Sequence, residues 1–188
     1  MPSILTRDLY KVMPWKNGRG TTAQIALDSE QSVFPDHFLW RVSSARVSSN
    51  DPFSNFDGCR RALVVVEGQG LFLNEVELKP FVPYFFSGNE PIDCRLVEGP
   101  VVDLGVIFNT QKVKVDMEVR RGNEIKISCS EGLMFFYLAE GEAKLSEGVL
   151  KKGDTLKLNN LEDVSLVGTS LVGVLISIKE SLGLSPRR

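Results

Sequence analysis

Residues 64–80, VVVEGQGLFLNEVELKP, and residues 136–154, FYLAEGEAKLSEGVLKKGD, follow one plan. In each, a β-branched or aromatic run ends at Glu-Gly, a second short run follows, and a tight turn leads into a third. Glu67-Gly68 and Glu140-Gly141 lie 73 residues apart, and Leu78 and Leu150 keep that spacing to within one residue. Glycine is needed in such a turn where φ is positive, as tight hairpins demand. Lys151-Lys152-Gly153-Asp154 reads as a second tight turn entering the strand TLKLNN. Farther along, EGPVVDLGVIFN (98–109) matches VGTSLVGVLISI (167–178), which sets Gly105 and Gly173 68 residues apart. Motifs recurring at a near-constant distance mark a repeated structural unit. The chain is expected to fold as two related halves.

Outward from the repeat, the same grammar continues. FLWRVSSARV (38–47), VVDLGVIFN (101–109), LMFFYLAEGEAKLS (133–146) and SLVGVLISI (170–178) are alternating or β-branched runs separated by Gly, Pro, Asn and Asp. Strand-sized runs bounded by turns, with no long 3.6-residue period, indicate an all-β sandwich or barrel. A small antiparallel unit with an E-G-x-G hairpin and a later G-D turn resembles half of a cupin, and two such units make a bicupin. The expected fold is therefore all-β: two small antiparallel, jelly-roll-like barrels in one compact unit. Residues 1–110 would form the N-terminal lobe and 111–188 the C-terminal lobe.

Composition narrows the function classes. The chain has 188 residues, and its 22 Lys+Arg against 24 Asp+Glu give a net charge of −2. That leaves no basic surplus to neutralise a run of phosphates, so nucleic acid is not an expected partner. The opening MPSILTRDLYKVMPW lacks the apolar core of a secretion signal, and no apolar run approaches ~18 residues. No membrane partner and a cytoplasmic location are expected. Cys59, Cys94 and Cys129 are dispersed, with no CxxC pair, and read as reduced structural thiols. The single histidine, His37, is too little for an imidazole-rich metal centre, and no GxSxG elbow is present. Neither a metal nor a cofactor is expected.

The most unusual segment is MPWKNGRGTT (13–22). Its glycines allow close backbone approach, and Lys16, Asn17 and Thr22 are polar groups behind a proline and an aromatic. That suits a loop placing a cation and an amide against a small ligand. The same composition also suits a Gly-rich turn with Lys16 in solvent. It is neither GxGxxG nor a P-loop, so nucleotide binding is not supported.

PWKNGRGTT, FLWRVSSARV, DPFSNFDGCRR, LVVVEGQGLFL, FSGNEP and LVEGPVVDLGV occur in that order over about residues 4–108 and together resemble the HutD/Ves family. The resemblance implies a metal-free bicupin linked to histidine utilisation, with a regulatory or metabolite-binding role. It also implies a first-half pocket for a small anionic metabolite, a carboxylate such as formyl- or formimino-glutamate. Carried over residue by residue, and with Asp103 added, the site would comprise Lys16, Asn17, Thr22, Gln24, Arg41, Ser43, Arg61 and Asp103. Alternation supports part of this independently. Arg41, Ser43 and Ala45 share one face of a strand and Trp40 and Val42 the other, while Thr22, Gln24 and Ala26 are expected to share a face of theirs. Arg41 offers a fork that binds a carboxylate through two parallel hydrogen bonds.

The chain also departs from the family pattern. Arg19 stands at a usual glycine, Ala23-Gln24 at an Arg-Glu pair, Arg60 at an Asp, and Gly105 at an Asn. These changes make the site more cationic and remove two carboxylate bases. Asp103 is expected either to cap a turn at a strand entrance or to neutralise Arg41 or Arg61. Glu140 and Glu142 read as solvent-side hairpin residues, and Phe135, Phe136 and Tyr137 as second-lobe core. The C-terminal ESLGLSPRR reads as a frayed tail.

The leading reading is a regulator or buffer in histidine or other amino-acid catabolism that binds a small anion. One alternative is an isomerase or hydrolase acting on the same ligand class with Lys16 as acid or base. Another is a protein-interaction module with a vestigial pocket. Catalytic residues stay unassigned, enzymatic activity is doubtful, and the oligomeric state is open, a dimer being compatible.

Overall fold

The computed structural model describes residues 1–15 and 19–181; Lys16, Asn17 and the tail 182–188 lie outside the described residues. In chain order the first strands are β1 (Ser3–Leu5), β2 (Lys11–Pro14), β3 (Gly20–Leu27), β4 (Trp40–Val47), β5 (Cys59–Glu67), β6 (Leu71–Leu73), β7 (Val76–Leu78), β8 (Tyr84–Ser87), β9 (Cys94–Leu96) and β10 (Val101–Asn109). They are followed by β11 (Val113–Cys129), β12 (Leu133–Glu140), β13 (Glu142–Leu145), β14 (Gly148–Lys151), β15 (Thr155–Leu158) and β16 (Glu162–Glu180). One 3-10 turn, Arg7–Leu9, is the only helical element among the described residues. No helix there is long and apolar enough to cross a membrane.

The repeat is visible in the topology. The N-terminal sheet has the order β2-β3-β4-β10-β5-β8, and the C-terminal sheet contains β11-β16-β12-β15 in the corresponding order. The hairpin β6–β7 corresponds to β13–β14, each following a Glu-Gly turn. Gly68 and Gly141 both hold positive φ, +96° and +89°. The fold is a bicupin.

Strict alternation gives each sheet two different faces. Trp40 and Val42 of β4, Ala62, Val64 and Val66 of β5, and Leu104, Val106 and Phe108 of β10 form one apolar layer. They pack against Val115 and Met117 of β11, Phe135 and Tyr137 of β12, and Val174, Ile176 and Ile178 of β16. The centroids of the Trp40 and Phe135 rings lie 5.6 Å apart. Phe136, by contrast, points the other way into the C-terminal lobe's own core. The aromatic triplet therefore divides: Phe135 and Tyr137 belong to the core shared by the two sheets, because neighbouring strand residues face opposite sides.

One strand of the N-terminal half joins the other sheet: β1 pairs with β15. Tyr10 fastens this strap: its hydroxyl lies 2.8 Å from Thr155 Oγ1 and donates to the Leu5 or Gly153 carbonyl, 3.1 and 3.0 Å away. One other expectation needs correction: the Thr22/Gln24/Ala26 face is broken by a bulge at Ile25, where Gln24 pairs with Ser43 but Ala26 with Val42. The extra residue turns Ala26 toward the shared core.

Candidate functional site

The face of the N-terminal sheet turned away from its partner is polar along one side. Cross-strand register builds it in rows: Thr22, Ala45 and Asp103; then Gln24, Ser43 and Gly105; then Arg41, Ile107 and Arg61. Arg41 and Arg61 thus flank Ile107 on strands two apart, roughly 10 Å by sheet spacing. Gly105, with no side chain, leaves the middle of the floor open. A cavity of about 570 Å³ opens above it, with Arg41, Ser43, Arg61, Asp103 and Gly105 among its lining.

The two lobes differ here for a legible reason. A Cβ built on Gly173 would meet the Phe136 ring at 2.1 Å, whereas one built on Gly105 meets only the Ala62 carbonyl, at 3.5 Å. The C-terminal lobe fills this space with a phenyl ring. The N-terminal lobe has Leu63, 73 residues before Phe136, and keeps the space.

Segments around the sheet close the cavity with aromatic rings. Phe34 stands beneath Arg41, the guanidinium carbon 4.1 Å from the ring centroid. Phe53 and Phe56 lie 4.9 and 5.5 Å from the Arg61 guanidinium carbon. Phe34 also packs on Phe56, at 5.2 Å between centroids. Rings hold a guanidinium by their negative faces and displace water from it. Met13, Pro14 and Trp15 line the cavity's other side, where the Trp15 indole donates to Thr22 Oγ1 at 2.9 Å. Arg19 and Asp51 form an ion pair of 3.7 Å with Arg19 mostly exposed, a contact worth little energetically.

Both arginines are fixed. Arg41 is only 6% exposed, and its Nε donates to Gln24 Oε1 at 3.1 Å. No other hydrogen bond engages its guanidinium among the described residues, which leaves the two terminal nitrogens for a ligand. β4 is also a central strand, between β3 and β10, which places Arg41 in the interior of the sheet. Arg61 donates from Nη1 to the Ser54 carbonyl at 3.1 Å. Burial pulls the Arg61 guanidinium down to about 10, with Asp103 opposing the shift and Arg41 adding to it. It remains protonated at neutral pH. Burial lowers Arg41 as well.

Asp103 is not at a strand entrance: it lies within β10, 5% exposed, facing the cavity. It makes no contact ion pair with Arg41 or Arg61, but it and Arg61 act on one another through space, as expected of a carboxylate that offsets an arginine. Burial raises its carboxyl to about 7, partly offset by Arg61 and the Ala45 amide.

Of the expected residues, the structure brings Thr22, Arg41, Ser43, Arg61 and Asp103 to one cavity, with Gln24 behind Arg41. Sequence reasoning missed Phe34, Phe53 and Phe56. The string DPFSNFDGCRR carried a signal for two of them, since aromatics just ahead of a strand bearing Arg61 fall beside that side chain. A second opening of about 750 Å³ near Trp40 is lined by Asp28, Glu131 and Glu180 with no basic residue, which disfavours an anion there. Among the described residues no three His, Cys, Asp or Glu side chains converge as metal ligands would.

The family model for HutD matches residues 7–173 of this chain. An uncharacterized 21.2 kDa protein of the hutC 3′ region of Pseudomonas putida is 32% identical over 138 residues, 71% of this chain and 72% of that protein. The solved structure of HutD from Pseudomonas fluorescens SBW25 (formate condition) is 26% identical with a TM-score of 0.82, covering 96% of this chain and all of that one (100%). A conserved protein of unknown function from Pseudomonas aeruginosa PAO1 is 25% identical with a TM-score of 0.83, covering 95% and 99%.

Proposed function

Because the chain belongs to the HutD family, we propose that it binds a small carboxylate in its N-terminal cavity and acts as a metabolite-sensing regulator or buffer in histidine or related amino-acid catabolism. The observation that carries this reading is the convergence of two guanidiniums, Arg41 and Arg61, on one ring-walled cavity. A desolvated arginine is a strong carboxylate ligand because its charge is poorly screened and its donors are pre-aimed. Thr22 and Ser43 add hydroxyls for a second polar end of the ligand. Formyl- and formimino-glutamate match this pattern, having carboxylates, a short chain and a small polar cap. The pathway assignment draws on the hut names of the relatives, and a cytoplasmic location accords with it.

Calorimetric titration of the full chain with formate, N-formyl-L-glutamate and N-formimino-L-glutamate tests the reading. One glutamate derivative is expected to bind at one per chain and more tightly than formate. Absence of heat from every carboxylate, in protein shown to be folded, would remove the reading and favour a protein-interaction role.

A further inference from the structure

We infer that Asp103 couples this site to protons: when Arg41 and Arg61 take up an anion, Asp103 takes up a proton from solvent. The inference rests on the anion-binding reading and adds a regulation to it.

The geometry is specific. Asp103 lies one floor position from Gly105, and Arg41 and Arg61 lie one position beyond on the other side. An anion held by both arginines over Gly105 therefore faces the Asp103 carboxyl across an open gap. Asp103 is 5% exposed. Among the described residues no cation forms a contact ion pair with it, and Arg61 acts on it only through space. Burial works against the ionised carboxylate, and the Arg61 guanidinium is the charge that favours it. An incoming anion neutralises that same guanidinium. It withdraws the support and adds a like charge in a poorly screened space, so the carboxylate is expected to protonate.

The other groups near Asp103 do not replace it in this role. Facing it are Arg61 from β5, Arg41 and Ser43 from β4, Thr22 from β3, Cys94 from β9, and Asp51 from the segment after β4. The arginines stay charged near neutrality, and burial pushes the Cys94 thiol up to about 12. Asp51 already has Arg19 beside it. His37 is exposed and outside the lining.

The sign follows. Burial holds the carboxyl of Asp103 in the free site up at about 7. Below that pH it is already protonated, so anion binding takes up no proton. Above it, binding must draw in a proton, and affinity falls up to tenfold per pH unit while the bound form stays protonated. An ordinary aspartate would be ionised throughout this range and would show no such dependence unless binding alone raised it.

The test is titration with N-formyl-L-glutamate at pH 6, 7 and 8, each in two buffers of different ionisation heat; the carboxylates of this probe remain ionised throughout. About tenfold weaker binding at pH 8 than at pH 6 is expected, with nearly one proton taken up at pH 8. Asp103→Asn, a permanently uncharged mimic, should bind with no pH dependence, and at pH 8 more tightly than the unmodified protein. Binding by the unmodified protein that is independent of pH and of buffer would overturn the coupling and leave the anion site standing. So would pH dependence that survives in Asp103→Asn, or loss of binding in that variant at every pH, which would make Asp103 a direct acceptor of a ligand N–H. Should the asparagine variant fail to fold, Asp103→Ser and the proton count on the unmodified protein decide. No binding of the probe at any pH would instead remove the anion-binding reading itself.

Discussion

Arg41→Ala is expected to weaken N-formylglutamate binding 10- to 100-fold. A charge-assisted hydrogen bond in a partly dry site contributes roughly 1.5–3 kcal/mol, and about 1.4 kcal/mol is tenfold in affinity. Arg41 meets the conditions for the upper part of that range. It is 6% exposed, its Nε is held by Gln24 and its plane by Phe34. Little side-chain entropy is then lost on binding. Arg41→Lys should recover only part of the affinity, because a single ammonium replaces two parallel donors. Gln24→Ala should have a smaller effect, since it loosens the fork without removing it. Unchanged affinity in a folded Arg41→Ala protein would take Arg41 out of the site.

Phe135→Ala should cost roughly 3–5 kcal/mol of stability, the usual range for emptying a fully buried aromatic site. Phe135 is 0% exposed and packs with Trp40 across the layer between the two sheets. Its loss withdraws contacts from both lobes. In a chain of this size about 1 kcal/mol moves the melting midpoint by roughly 2–4 °C, so a fall on the order of 6–20 °C is expected. Because the layer joins residues of both halves, the variant should still melt in one transition. Two separated transitions, with the first unmoved, would show that the halves hold together independently.

What could be read from residues alone follows from how strands encode themselves. The Glu-Gly turns are local signals, and their backbone angles agree because glycine alone tolerates them cheaply. Period-two alternation correctly separated Arg41 and Ser43 from Trp40 and Val42, since a strand's side chains have only two directions. It failed at Ile25, where one inserted residue reverses the order and leaves no mark in composition. Crossing of β1 to the far sheet was equally hidden, because Ser3–Leu5 could pair with any free edge. The burial of Asp103 within its strand was hidden for a different reason. Its surroundings come from three strands distant in sequence, and their burial of the carboxyl is a tertiary property. The ring wall of Phe34, Phe53 and Phe56 is likewise assembled by segments that have no period at all.

Capture of a small carboxylate by two arginines above Gly105 is open to direct inspection in a crystal structure grown with saturating N-formyl-L-glutamate. A carboxylate is expected over Gly105, with its oxygens about 3 Å from guanidinium nitrogens of Arg41 and of Arg61. A ligand seated elsewhere, or a cavity without it in protein that binds the compound stoichiometrically in solution, would show that the two arginines do not form the carboxylate site.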